Sequence, residues 1–127
     1  MRPRLSVGEK PLDWVASSKR DFLAFPAPVQ REIGNALGLA QFGGKHPNAK
    51  PWKGEGPGVF EVVDDFDGDT YRAVYTVRFR QVVYVLHAFQ KKSPRGRRTA
   101  RTDIQLIAQR LKAARQDYEV RYGKSER

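Results

Sequence analysis

The chain has 127 residues, 24 of them Lys or Arg against 14 Asp or Glu, for a net charge of +10. This length suits one domain, and a hydrophobic content of 39% argues against global disorder. The absence of Cys excludes disulfides, a Cys-ligated zinc and a thiol nucleophile. His46 and His87 are the two histidines, so neither a metal site nor a cofactor is expected. No apolar run approaches the roughly 18 residues of a membrane span, and no secretory signal follows the basic N-terminus. The expected location is therefore the cytoplasm. Excess positive charge on a small domain favours a polyanion, nucleic acid foremost, with an acidic protein partner as the alternative.

In chain order, residues 1–10 read as a flexible basic arm. Pro11–Val15 reads as a short strand. Ser18 is placed to cap a short helix, with Asp21 complementing its N-terminus. Pro26 and Pro28 end that helix and start a second, in which Val29, Ile33, Ala36 and Ala40 recur at helical spacing and Gly43-Gly44 stops the run. Residues 43–58, rich in Gly, Pro and Lys, read as a basic loop. Three strands follow, Val59–Asp64, Thr70–Phe79 and Val82–Gln90, and then a basic segment, Lys91–Arg101. Thr102-Asp103-Ile104-Gln105 fits a capping box, and Ile104, Ile107, Leu111, Ala114 and Tyr118 form the buried stripe of a last helix. Residues 121–127 read as a polar tail. The order β-α-α-β-β-β-α predicts an α+β domain spanning 11–120, a mostly antiparallel sheet with its helices packed on one face.

Turn chemistry sets the strand registers. Asp67-Gly68 has the residue types of a type I′ hairpin, whose central positions both need positive φ. This pairs Val63 with Arg72 and Glu61 with Val74. A second turn at Arg80-Gln81 pairs Val74 with His87 and Arg72 with Phe89. Alternation then puts Phe60, Val62, Tyr71, Ala73, Tyr75, Val77, Tyr84, Leu86 and Ala88 on one apolar face. Glu61, Val63, Arg72, Val74, Thr76, Arg78, Val85, His87 and Phe89 take the other, where Glu61, Val74 and His87 form a row with Arg72 one step along.

Those side chains suit RNA cleavage by internal transfer. The ribose 2′-OH must lose a proton, the phosphorane must have its charge stabilised, and the leaving 5′-oxygen takes a proton. Glu61 and His87 are candidates for the proton transfers. Arg72 and Lys91 are candidates for the charge, Arg72 through its bidentate fork. Lys50, Lys53, Lys92, Arg95, Arg97 and Arg98 are candidate RNA-binding residues. Against this stand plainer readings: Glu61 and Arg72 as an ordinary cross-strand ion pair, His87 as a satisfied core histidine, and the lysines as a solvated strand end.

Several strings resemble a known family. Lys50-Pro51-Trp52-Lys53-Gly54, Gly58-Val59-Phe60-Glu61-Val62, the run Asp67–Val77 and the run Tyr84–Ser93 are similar to segments of the Gp49-like, HigB-type toxins of the RelE/HigB superfamily. Asp103–Ile107 resembles the start of their last helix. The resemblance implies a RelE-like fold and a type II toxin: a ribosome-dependent, metal-independent endoribonuclease (mRNA interferase). It implies a helix-turn-helix, HigA-like antitoxin, a toxin–antitoxin hetero-oligomer, and mRNA on the ribosome as substrate. It also implies that Arg72 matches a catalytic arginine and that Lys91 and Lys92 fall near a phosphate-binding segment. The alternative is a non-catalytic nucleic-acid-binding protein of phage or mobile-element origin.

Overall fold

The computed structural model describes residues 8–91 and 99–123. The expectations for Lys92, Arg95, Arg97, Arg98, most of the N-terminal arm and the last four residues fall outside that set. Within it the order is β1 (Leu12–Trp14), α1 (Ser18–Leu23), α2 (Ala27–Gln41), β2 (Ala49–Pro51), β3 (Val59–Phe66), β4 (Asp69–Thr76), β5 (Val83–Lys91) and α3 (Arg101–Tyr122). The strands form one sheet ordered β1-β5-β4-β3-β2, with β1 parallel to β5 and every other pairing antiparallel. The α+β class and the antiparallel meander are as expected.

The Asp67-Gly68 hairpin has positive φ at both residues, 54° and 85°. Phe66 consequently faces Asp69, Val63 faces Arg72 and Glu61 faces Val74. On the other side of β4, Arg72 faces Phe89 and Val74 faces His87. The register then shifts. Tyr75 pairs with Val85, leaving Leu86 as an extra residue in β5. A bulge of this kind reverses the alternation of every side chain beyond it. The face assignments made from strict alternation are therefore corrected at Tyr84, Leu86 and Val85. Val85 joins the first core with Val62, Tyr71, Ala73, Tyr75 and Ala88. Tyr84 and Leu86 join the second with Val59, Val74 and Phe89. Arg80-Gln81 form a turn as expected, but within a longer connection, residues 77–82.

The bulge changes the architecture. By moving Tyr84 and Leu86 across, it makes the second face apolar enough to require a cover. Helix α3 supplies it through Ile107, Leu111, Ala114 and Tyr118, while α1 and α2 pack on the first face through Phe22, Val29, Ile33, Ala36, Leu37 and Ala40. The expectation that all helices share one face is corrected accordingly: the sheet is sandwiched.

Helix boundaries differ from the expected ones. α1 is preceded by Ser17, whose hydroxyl bonds Asp21 Oδ2 at 2.8 Å, while Ser18 is buried and donates to the Val85 carbonyl at 3.1 Å. α3 begins at Arg101 after Ala100 and has no side-chain cap, so the expected capping box does not form. It continues through Tyr122, so Arg121 and Tyr122 are helical rather than tail. Lys10 is tied to the end of α2 by reciprocal contacts with Gln41, its amide donating to the carbonyl and its carbonyl accepting from Nε2.

Candidate nucleic-acid cleft

Strand β2, read from the sequence as loop, pairs Lys50 with Glu61. Cross-strand partners share a face, so Lys50, Glu61 and Arg72 rise from the same side of the sheet. Lys91, opposite Thr70 at the end of β5, shares it. Together with Lys53, Pro51 and Trp52 they line a cleft of about 1050 Å³. Its far wall is the start of α3: Thr99, Arg101, Ile104 and Gln105.

The cleft floor is an ion pair. Arg72 Nη1 lies 2.5 Å from Glu61 Oε1, with the two side chains only 12% and 11% exposed. Arg72 Nε is buried without a hydrogen-bond partner. Lys91 is also buried. Burial lowers its ammonium below the usual lysine range; Arg72 and Lys50 push the same way, and Glu61 opposes them. A polyanion entering the cleft would meet Lys50, Lys53, Arg72, Lys91 and Arg101 with one carboxylate already neutralised.

The Gly-rich loop continues from the cleft residues Lys50–Lys53. Arg78, placed on the second face by alternation, clamps that loop by donating to the Pro57 carbonyl from Nε at 3.1 Å and from Nη2 at 2.9 Å, and to the Glu55 carbonyl. Trp52 is buried, and its amide donates to the Val59 carbonyl at 2.8 Å.

His87 is placed apart. It shares the row with Glu61 and Val74, yet it does not line this cleft; its ring borders a hollow with Asp21, Phe25, Tyr71 and Phe89. It is 5% exposed and its two nitrogens face Asp103 and Arg110. The reason is Val74, fully buried between the two ends of the row and packed within the core that α3 covers.

Sequence reasoning included Thr99 and Arg101 only as part of the basic segment Lys91–Arg101 and missed Ile104 and Gln105 as cleft residues. Ile104 was assigned to the buried stripe, but it is 43% exposed, and burial begins one turn later at Ile107. The available signal was its position in the first turn of the helix. Among the described residues no group of three or more His, Asp or Glu is arranged to hold a metal, and no helix is long and apolar enough to cross a membrane.

The fold matches that of a free-state, double arginine-to-alanine mutant of E. coli toxin RelE, with a TM-score of 0.55 at 15% identity over 83% of this chain and 97% of that one. No curated protein matches the chain. A family model described as phage derived protein Gp49-like (DUF891) matches residues 20–112. With that model spanning well over half of the chain, the chain belongs to the phage-derived Gp49-like family and carries the RelE-like fold.

Proposed function

We propose that this protein is the toxin of a type II toxin–antitoxin pair, acting as a ribosome-dependent endoribonuclease in the cytoplasm. The observation that carries the reading is the cleft floor, where Arg72 and Lys91 sit beside the Glu61 carboxylate within a lysine-lined groove. Family membership and fold support the toxin class. The partner is a helix-turn-helix antitoxin of HigA type, forming a hetero-oligomer in which the toxin is silent.

In this mechanism Glu61 takes the proton of the ribose 2′-OH as that oxygen bonds to phosphorus. Arg72 turns its fork to the phosphorane oxygens, and Lys50 and Lys53 hold flanking phosphates. The bond from phosphorus to the 5′-oxygen breaks, and Lys91 delivers a proton to that oxygen. Its lowered pKa makes its ammonium a stronger acid for the task. The products are a 2′,3′-cyclic phosphate and a 5′-hydroxyl, and the balance of protons needs no metal. Lys92, Arg95, Arg97 and Arg98 are assigned to RNA binding on their charge alone.

The test is inducible expression with and without the adjacent open reading frame, read by growth and by mapping message ends. Growth arrest with new message ends, relieved by Arg72→Ala or by the neighbouring gene, is the expected result. Normal growth with intact messages in a ribosome-loaded reaction overturns it in favour of a non-catalytic nucleic-acid binder. That second reading draws on one observation: the only described carboxylate in the cleft is engaged by Arg72.

A further inference from the structure

The first turn of α3 forms one wall of the cleft, yet it has no apolar anchor. Arg101, Thr102, Ile104 and Gln105 are exposed, Asp103 and Leu106 are half-buried, and the first buried residue is Ile107. What ties this turn to the sheet is a hydrogen bond of 2.7 Å between Asp103 Oδ1 and His87 Nε2. The second ring nitrogen fixes the tautomer. Arg110 Nη1 lies 3.2 Å from His87 Nδ1, and a guanidinium has only donors, so Nδ1 accepts and Nε2 carries the hydrogen donated to Asp103.

Arg110 continues the chain of contacts. Its Nη1 donates to the Leu86 carbonyl at 3.0 Å and its Nη2 to Ser17 Oγ at 3.1 Å, and Ser17 in turn donates to Asp21. The imidazole also stacks on Phe89, with centroids 4.7 Å apart and planes 20° from parallel. His87 is thus held on both edges and one face, leaving its ring no path to a substrate in the cleft.

We infer that His87 is a positioning residue: by donating to Asp103 it fixes the first turn of α3, and with it Arg101, Ile104 and Gln105, as a wall against which RNA is bound. The inference rests on reading the cleft as the RNA site, and a separate measurement decides each. Wild type, His87→Ala, His87→Gln and Asp103→Ala are compared by amide hydrogen exchange over residues 101–106, by binding of a 2′-O-methyl oligoribonucleotide, and by kcat and KM for message cleavage.

His87→Ala and Asp103→Ala each speed exchange of the first turn and weaken oligonucleotide binding, both by about tenfold, the loss of one hydrogen bond to a charged acceptor. KM rises and kcat stays within a few-fold. His87→Gln, whose amide reaches the same carboxylate, restores all three. Unchanged exchange in both alanine variants overturns the inference. So does a His87→Gln protein that binds RNA normally but, like His87→Ala, loses a hundredfold or more in kcat, because His87 would then move the proton itself. Should His87→Ala fail to fold, Asp103→Ala carries the test from the more exposed end of the bond. If wild type neither binds nor cleaves RNA, the RNA reading of the cleft fails, and with it the role assigned to the wall.

Discussion

Arg72 and Glu61 are diagonal neighbours across β3 and β4, and their side chains meet at 2.5 Å on the side of the sheet that opens into the cleft. Neither is in the middle of the core, but both are almost out of water, and in that setting each charge depends on the other. Removing one partner leaves an uncompensated charge, which costs more than the pair itself contributes.

Arg72→Ala is therefore expected to act on two measurements at once. Cleavage falls by about a hundredfold or more, as for the loss of a donor aimed at developing negative charge. Stability falls by about 2–3 kcal/mol in urea unfolding, because Glu61 is left unpaired. Arg72→Lys separates the effects: it keeps the charge and most of the stability but lacks the planar fork, so cleavage remains low. Full activity in Arg72→Lys would show that charge alone suffices there.

Lys91 carries a cost of burial. Its folded-state pKa lies below the unfolded value, so between the two the unfolded chain binds more protons than the native one. Stability then rises with pH across that interval, up to the usual lysine value of 10.5. Below the interval the charged, buried ammonium opposes folding in full. Lys91→Met is expected to raise the melting temperature at pH 7, to flatten the alkaline rise in stability, and to lower cleavage. A lower melting temperature would mean that the attraction to Glu61 outweighs burial.

The meander and its two turns were legible because they rest on local chemistry. Asp67-Gly68 fixes one register, and alternation in Val59–Asp64 and Thr70–Thr76 fixes the faces, which is enough to bring Glu61 and Arg72 together. The side taken by α3 was not legible. It depends on the extra residue Leu86, and nothing in Tyr84-Val85-Leu86-His87 distinguishes a bulged strand from a regular one, since all four are apolar or aromatic. β2 was hidden for a related reason. Ala49-Lys50-Pro51 has no strand pattern of its own and is a strand only because β3 offers an edge. The separation of His87 from the cleft follows from both: α3 crosses the second face, buries Val74 and divides the row.

Gly58 shows how tightly the cleft loop is held. Its φ is +87°, and a Cβ there would meet Arg78 Cα and Cβ at 3.2 Å. Its carbonyl accepts from the Val77 amide and from Thr76 Oγ1, both at 2.8 Å. Backbone and neighbour both oppose a side chain, and the neighbour is the residue that clamps Glu55 and Pro57. Gly58→Ala is expected to cost about 2–3 kcal/mol and to weaken RNA binding through the displaced loop. Thermal unfolding and oligonucleotide titration measure the two. Gly68→Ala, where a Cβ meets nothing, pays the backbone cost alone and leaves binding unchanged.

Asp64 provides an acid-side counterpart on the opposite face of the sheet. Burial raises its pKa above 3.8; Glu32 and Asp65 add to the rise, and His46 opposes it. His46 itself accepts from the Asn48 amide at Nδ1, 3.0 Å away, and turns Nε2 to Glu32 at 3.1 Å. The folded carboxyl thus holds its proton to higher pH than the unfolded one. Below 3.8 both are neutral and Asp64 contributes nothing; as pH rises through the folded value the charge appears among like charges and stability is lost. Asp64→Asn is expected to raise the melting temperature at pH 7 and to leave it unchanged near pH 3. A gain of equal size at both pH values would assign the effect to packing of the amide instead of removal of the charge.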